Sequence, residues 1–202
     1  MKGHDFDAAH RHLRKHSAMR EVLKRHKLEA FAKRTDPFTA LVRSIVFQQL
    51  SGKAATTILN RLLAYFPKKK PTAALMLKLT AAQFRKAGMS AQKTAYLKDL
   101  AKRFLDGTIE PQKFPKMTDE EIREHLLIVK GMGRWTADMF LMFTLYRPDV
   151  LPTGDLAIQK GFQRVFNLKQ KPDAKKMEKL AEPWVPHRTV ASLYLWRVMD
   201  GD

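Results

Sequence analysis

A short glycine turn between two apolar helical segments constrains the fold of this chain more than any other feature of its sequence. Gly131-Met132-Gly133 follows the apolar end of one predicted helix, and a second predicted helix begins at Arg134. Because the connection is so short, the two helices form an αα-hairpin. Paired glycines let backbone amides approach a phosphate beside the positive end of a helix dipole, and Lys130 and Arg134 add positive charge. An ordinary turn between two helices of a bundle has the same pattern, so both interpretations stay open.

Helical periodicity continues along almost the whole chain. Asp36 followed by Pro37 is typical of a helix start, and Thr118 with Glu121 has the form of a capping box. From the hairpin turn onwards, the pattern predicts helices near 134–146, 155–166, 173–182 and 187–199. No run shows the alternation of a β-strand. The sequence therefore predicts an all-α fold.

The composition indicates a polyanionic partner. The chain has 202 residues with 38 Lys and Arg against 20 Asp and Glu, a formal net charge of +18. A protein this basic usually binds nucleic acid; a solvated basic surface or an anionic membrane contact is the alternative. No apolar stretch of about 18 residues is long enough to span a membrane, and the amino terminus lacks the apolar core of a signal peptide. We therefore expect a soluble protein inside the cell.

The absence of cysteine excludes several kinds of site. With no cysteine in the sequence, the chain has no disulfides, thiol nucleophile, cysteine-bound zinc or cysteine-bound iron–sulfur cluster. His12 and His16 have a spacing that places two imidazoles on one helix face. A metal site would need further ligands, so we interpret this segment as a basic, solvated helix.

Asp155 is the acidic residue that the pattern singles out. It follows Leu151-Pro152-Thr153-Gly154 and precedes an amphipathic helical run. Aspartate at this position is a good helix N-cap, and spacing alone favours that role. A capping carboxylate is also held in place and kept ionised by the helix amides, so the role is compatible with catalysis.

Three further side chains have two interpretations each. Trp135 directly follows the turn and Arg134. In one interpretation its indole lines a site and stacks on a planar, electron-poor ligand. In the other it packs in the core, which is the ordinary role of tryptophan. Gln48 and Gln49 end the helix that begins at Pro37. Surface polarity is the usual explanation, and filling the gap left by an extruded base is the other.

In this order and spacing, the motifs resemble the helix-hairpin-helix glycosylase superfamily, and within it the alkylbase branch of the DNA-3-methyladenine glycosylase II type. The resemblance runs from about Pro37 to Trp196. The matching segments are 43–51 (RSIVFQQLS), 88–90 (GMS) with Lys93 and 96–97 (YL), 129–137 (VKGMGRWTA), 151–155 (LPTGD), 186–188 (PHR) and 193–196 (LYLW). It implies an all-α, two-lobed fold with a cleft between the lobes. We place one lobe with the hairpin at 31–148 and the other at 1–30 and 149–202.

The resemblance also implies roles for individual residues. The catalytic aspartate is Asp155. The other expected sites are the base pocket (Trp135, Trp196 and Met139), the wedge that enters the DNA stack (Gln49, with Gln48 beside it), the phosphate grip (Gly131, Gly133, Lys130 and Arg134) and the backbone carbonyls that hold Na⁺ or K⁺ at the hairpin (Leu127, Val129 and Met132). No other cofactor is expected.

The implied activity is hydrolysis of the N-glycosidic bond of alkylated bases, such as 3-methyladenine and 7-methylguanine, flipped out of duplex DNA in base excision repair. Strand-cutting members carry a lysine nucleophile where this chain has Trp135, so we expect a monofunctional enzyme. The alternatives are a glycosylase for oxidised or deaminated bases on the same scaffold, and a hairpin protein that only binds DNA. Met139 departs from the family, which has an aromatic residue there, and the chain is too short and helical to include the β-rich amino-terminal domain of the best-known enzyme.

Double-stranded DNA with alkylated bases is the expected partner, bound by a monomer and without a membrane. The expected location is the cytoplasm in association with the nucleoid, or the nucleus in a eukaryote.

Overall fold

The computed structural model describes residues 5–28 and 36–200, and all regular structure in these ranges is helical. The elements are α1 (Phe6–Leu13), α2 (Ser17–Arg25), α3 (Pro37–Phe47), α4 (Gly52–Leu63), α5 (Ala73–Lys78), α6 (Ala81–Ala87), α7 (Ala91–Leu105), α8 (Asp119–Leu127), α9 (Arg134–Phe143), α10 (Leu156–Val165), α11 (Ala174–Ala181) and α12 (Arg188–Asp200), with short 3₁₀ helices at Pro67–Lys69, Pro111–Lys116 and Glu182–Trp184. The predicted all-α fold is confirmed. None of the helices in the described ranges has the length and apolarity that crossing a membrane requires.

Side-chain caps fix where the helices begin. The Asp36 carboxylate accepts hydrogen bonds from the backbone N–H groups of Phe38 and Thr39 at 3.2 and 3.1 Å, so α3 starts where the sequence predicted. Thr118 and Glu121 form the predicted capping box of α8, with both reciprocal bonds present. These bonds satisfy N–H groups that have no partner inside the helix.

The end of α9 differs from the prediction. The helix ends at Phe143, whereas the sequence pattern extended it to 146. Tyr146 adopts a left-handed backbone conformation with φ 56°, and the N–H of Arg147 donates to the carbonyl of Leu141. Thr189 in α12 then accepts from the N–H of Val150 and donates to the carbonyl of Arg147. The left-handed turn at Tyr146 therefore closes back onto the last turn of α9, and Thr189 holds the segment that follows.

The chain separates into two compact units, described here by 36–140 and by 5–28 with 141–200. The predicted lobe boundary at 30/31 lies outside the described residues. The other division falls at 140/141, and the predicted boundary at 148/149 lies a few residues beyond it. The arrangement of two lobes around a cleft stays a prediction.

In the unit of 36–140, the apolar face of α3 forms the centre of the core. Leu41, Val42, Ile45 and Val46 are completely buried, and α3 packs against α4 and α7. Burying each such side chain contributes about 1.5–3 kcal/mol to folding. This packing fixes the carboxyl end of α3, where the predicted wedge residues follow.

In the unit of 5–28 and 141–200, α10 and α12 pack closely against each other. A Cβ added to Gly161 in α10 would lie 3.0 Å from the Cβ of Leu195 in α12, so glycine allows this approach. Trp184 is buried and stacks on Phe162 with ring centroids 5.2 Å apart. Trp184 is thus a core residue, and the packing of α10 on α12 positions Asp155, which precedes α10.

Candidate functional site

The predicted hairpin is confirmed, and Gly131 determines the shape of its turn. α8 ends at Leu127 and α9 begins at Arg134. Gly131 has φ +77°, in the left-handed region, and the Tyr96 ring occupies the space of its missing side chain, with an ideal Cβ only 2.1 Å from Cε2. No described atom outside its chain neighbours lies within 4 Å of a Cβ built on Gly133. The observed shape of the turn therefore depends on glycine at 131, while Gly133 keeps the outer side of the turn open.

Side chains from elsewhere in the same unit hold the turn in place. The backbone N–H of Lys130 donates to Oδ2 of Asp99 at 2.9 Å, and the Gln48 amide donates to the carbonyl of Gly131 at 2.8 Å. Burial alone would raise the pKa of Asp99, but the hydrogen bonds from Lys130 and Arg103 outweigh it and lower the pKa. An ionised Asp99 thus anchors the start of the turn.

Arg134, a predicted phosphate contact, forms a bidentate ion pair with Glu120. The two N···O distances are 2.8 and 2.9 Å, and both side chains are exposed. The hydrogen bonds from Arg134 lower the pKa of Glu120, so the carboxylate is ionised at neutral pH. A phosphate approaching Arg134 would therefore compete with Glu120. The side chain of Lys130 is exposed.

A buried ion pair that the sequence analysis missed connects the two helices of the hairpin. Asp138 in α9 is only 4% exposed, and Nε of Arg123 in α8 donates to its Oδ1 at 2.7 Å. Burial raises the pKa of Asp138, and the guanidinium of Arg123 opposes that rise. An acid inside the apolar segment 134–143 was the available signal, because such residues are rarely buried unless paired. The pair fixes α8 against α9.

The structure separates the two predicted wedge residues. α3 ends at Phe47, and Gln49 follows in a left-handed conformation with φ 54° and an exposed side chain. Gln48 is half-buried, and its amide is used within the protein in the bond to Gly131. Leu50, which the sequence analysis did not select, is 39% exposed beside Gln49.

A cavity of about 400 Å³ in the unit of 36–140 joins several of the predicted residues. Its lining is Gln48, Gln49, Ser90, Gln92, Lys93, Tyr96, Gly131 and Trp135. Trp135 is 47% exposed, so it is not a core residue. The fold therefore gathers the wedge residues, a hairpin glycine and an accessible indole around one polar cavity.

Asp155 is the N-cap of α10, as predicted, and it also binds Trp196. Its Oδ1 accepts from the N–H of Ile158 at 2.9 Å and from Nε1 of Trp196 at 3.0 Å. The indole of Trp196 is stacked on Phe143, with centroids 6.0 Å apart and planes 21° apart. Two directed donors thus fix the orientation of a half-buried carboxylate.

The loop before Asp155 is braced by polar contacts in the same unit. Asp149 binds the guanidinium of Arg188 through both oxygens, at 2.8 and 2.7 Å. The amide of Gln159 donates to the carbonyl of Thr153 at 3.0 Å. These bonds position the Asp155 backbone.

The predicted pocket residue Met139 is half-buried in α9.

Within 5–28 and 36–200, no group of three or more His, Cys, Asp or Glu side chains is arranged to hold a metal ion. At the hairpin, the carbonyl of Val129 accepts from the N–H of Met132 at 3.1 Å. Carbonyls at the end of a helix have no intrahelical donor, so the end of α8 at Leu127 offers oxygen ligands that suit a hard cation.

The sequence and structure are similar to those of known repair proteins. Residues 42–187 match the family described as HhH-GPD superfamily base excision DNA repair protein. The chain is 35% identical over 164 residues to DNA-3-methyladenine glycosylase 1 of Schizosaccharomyces pombe, covering 80% of this chain and 72% of that protein.

Two solved structures are similar over nearly the whole chain. The 3-methyladenine DNA glycosylase of S. pombe, in complex with abasic DNA, has a TM-score of 0.83 and 31% identity, with 96% of this chain and 97% of the other covered. The DNA-3-methyladenine glycosidase of Bacillus halodurans has a TM-score of 0.86 and 29% identity, with 96% and 89% covered.

Proposed function

The chain belongs to the HhH-GPD superfamily of base excision DNA repair proteins, and we propose that it is a monofunctional glycosylase that removes alkylated bases from duplex DNA. The observation that carries this proposal is the oriented carboxylate of Asp155, held by the N-terminus of α10 and the Trp196 indole. The names of its relatives support bases of the 3-methyladenine type as substrates.

Binding of the duplex depends first on charge. A net charge of +18 attracts the phosphate backbone, and the contacts carry no sequence information. The open outer side of Gly133 gives a phosphate access to the turn, with Lys130 and Arg134 beside it. We infer that a monomer binds the duplex in this way, in the nucleoid or the nucleus.

The damaged nucleotide must then leave the stack. Extrusion costs a few kcal/mol, and the cost is lower for a weakly paired base. Gln49, exposed at the left-handed position after α3, fills the vacated space. Alkylation at N3 or N7 makes a purine cationic, and such a ring is attracted to the faces of Trp135 and Trp196. We infer that Met139 also contacts the extruded base.

The reaction is hydrolysis at the anomeric carbon of the extruded nucleotide. The glycosidic bond breaks with its electron pair leaving on the base nitrogen, so a cationic methylpurine departs as a neutral base. Water adds to the sugar carbon and loses its proton to Asp155, which returns it to solvent. The carboxylate also stabilises the oxocarbenium-like sugar, and removing such a group costs about 10²–10³ in rate.

The residue at position 135 supports hydrolysis without strand cleavage. Trp135 has no amine for a Schiff base with the sugar, so the proposed product is an intact strand with an abasic site. We infer that the hairpin carbonyls of Leu127, Val129 and Met132 would hold Na⁺ or K⁺, which would stiffen the turn and take no part in the reaction.

The test is release of free bases from methylated duplex DNA by the wild type and by Asp155→Asn, with and without subsequent alkali. We expect the wild type to release methylpurines, with strand breaks only after alkali, and the variant to bind DNA without release. Strand breaks before alkali would refute the monofunctional assignment, and full release by the variant would refute the role of Asp155. Duplexes with oxidised or deaminated bases belong in the same assay, because their exclusive release would identify the alternative substrate class.

A further inference from the structure

Gln48 and Gln49 form a short segment after α3, here called the wedge loop, and a lysine from α7 with no assigned role holds it in place. Nζ of Lys93 donates to the carbonyl of Val46 at 2.8 Å and to that of Gln48 at 2.6 Å. Val46 lies in the last turn of α3, where carbonyls have no intrahelical donor. Lys93 therefore supplies the missing hydrogen bonds on both sides of the point where the chain leaves the helix. Burial lowers the pKa of Lys93, because the side chain is partly removed from water.

The same loop is tied to the hairpin turn by Gln48. Its side-chain amide donates to the carbonyl of Gly131 across a separation of 83 residues in sequence. The next residue is Gln49, whose left-handed conformation continues directly from this anchored position. A displacement of the loop would therefore move Gln49 relative to the turn.

Helix α7 contacts both the loop and the turn with residues spaced three apart. Lys93 binds the wedge loop, Tyr96 fills the space beside Gly131, and Asp99 accepts from the N–H of Lys130. Residues three apart lie on neighbouring positions of one helix face. One face of α7 therefore holds the wedge loop and the hairpin turn at fixed positions relative to each other.

We propose that Lys93 and Gln48 are positioning residues for base extrusion, which hold Gln49 at a fixed distance and orientation from the phosphate-binding turn. This inference rests on the proposed function, because it assigns the turn to phosphate and Gln49 to the DNA stack. The turn fixes where the backbone sits, so the rigid connection decides which base step Gln49 enters. Gln48 acts from within the protein in this role and does not itself enter the stack.

The chain provides a matched control for Lys93. Lys98, on the same helix and also half-buried, donates to the carbonyls of Leu77 and Leu79 at 2.8 Å each, and its Nζ lies 5.7 Å from the centroid of the Phe84 ring. It caps the end of α5 by the same chemistry, and it contacts neither the wedge loop nor the turn through those bonds. Lys93→Met and Lys98→Met therefore each remove two hydrogen bonds to backbone carbonyls, and only those lost in Lys93→Met lie beside Gln49.

The experiment measures single-turnover excision of 7-methylguanine placed opposite cytosine and opposite an abasic-site analogue. We expect Lys93→Met to slow excision from the paired site by about 10- to 100-fold, the scale of a small misplacement. Lys98→Met should stay close to the wild type. The defect of Lys93→Met should shrink on the unpaired site, because extrusion costs less there. Lys93→Arg, which keeps the charge and the donors, should restore much of the rate.

Equal rates for Lys93→Met and Lys98→Met on the paired site would overturn the proposal. A defect of the same size on both substrates would also overturn it, since the lysine would then act on a step other than extrusion. Thermal melting by circular dichroism establishes that each variant folds. If Lys93→Met does not fold, Gln48→Met takes its place, with the same expected dependence on pairing.

A second readout separates this inference from the assigned activity. A duplex with 2-aminopurine at the target position becomes more fluorescent when that base leaves the stack, whether or not any bond is cut. We expect the increase with the wild type and Lys98→Met and a much smaller one with Lys93→Met. If the wild type excises no methylpurine, the proposed function fails, and this measurement still decides the inference: an equal increase for all three proteins, or none for the wild type, refutes it.

Discussion

Replacing Gly131 by alanine tests whether the hairpin turn depends on the geometry of one glycine. Its φ of +77° is a conformation that costs a residue with a Cβ about 1–2 kcal/mol. The new methyl would also lie 2.1 Å from the Tyr96 ring, so the ring must move. Overpacking of this kind costs about 1–3 kcal/mol. The expected loss in the free energy of unfolding is the sum, about 2–5 kcal/mol.

Gly133→Ala is the matched control. No described atom is close to its added Cβ, and its φ is outside the left-handed region, so its stability should stay within about 0.5 kcal/mol of the wild type. The same methyl lies on the open side of the turn, so Gly133→Ala should weaken DNA binding. We therefore expect alanine at 131 to lower mainly the stability and alanine at 133 to weaken mainly DNA binding.

Urea denaturation followed by tryptophan fluorescence measures the stability of both variants, and thermal melting gives an independent value. A protein of this size loses about 2–4 °C in Tm for each kcal/mol. A double-mutant cycle with Tyr96→Ala isolates the steric part, which should vanish when the ring is absent and leave only the backbone cost. If Gly131→Ala is as stable as Gly133→Ala, or if the cycle shows no coupling, the account of the turn is wrong.

Three further predictions concern charged groups. Asp155→Ala should lose about 0.5–2 kcal/mol of stability with the helix cap, whereas Asp155→Asn should stay close to the wild type, and urea denaturation distinguishes them. Glu120→Gln removes the carboxylate that pairs with Arg134, so DNA should bind more tightly. The slope of the logarithm of the DNA-binding constant against the logarithm of salt concentration should steepen by about 0.9, the value for one added phosphate contact. Fluorescence anisotropy of labelled DNA across a salt series measures both. Burial lowers the folded-state pKa of His16 and His187. Below about pH 6.5 the unfolded chain therefore binds more protons than the folded protein, and the free energy of unfolding should fall as the pH falls. A melting series from about pH 7 to 5 tests this, and the dependence of Tm on pH should be flatter in His187→Gln.

The starts of the helices could be predicted from the sequence because their determinants are local. The carboxylate of Asp36 binds N–H groups two and three residues away, and Thr118 and Glu121 bind each other's backbone across three residues. The hairpin turn and the N-cap role of Asp155 were predicted for the same reason. Such bonds form within one turn of helix, so their partners are fixed by position in the chain.

Helix ends and side-chain environments were less predictable. Beyond the end of α9, the chain is held by a hydrogen bond from Thr189 in α12 to the carbonyl of Arg147. The half-burial of His12 beside His187, with ring centroids 5.3 Å apart, depends on the packing of α1 against α12. The sequence pattern indicated a solvated helix for this histidine because its own segment is basic. The periodicity of a helix does not say which distant residue will contact it.

The sequence by itself determined the helical fold, the glycine turn and the capping position of Asp155, along with a resemblance strong enough to name the candidate residues. Only the tertiary structure decided how those residues are used. It gave the carboxylate of Asp155 a second donor in Trp196, placed Gln48 against Gly131 and paired Arg134 with Glu120. Local hydrogen bonds follow from neighbours along the chain, whereas these contacts arise when packed helices bring distant residues within about 3 Å of each other.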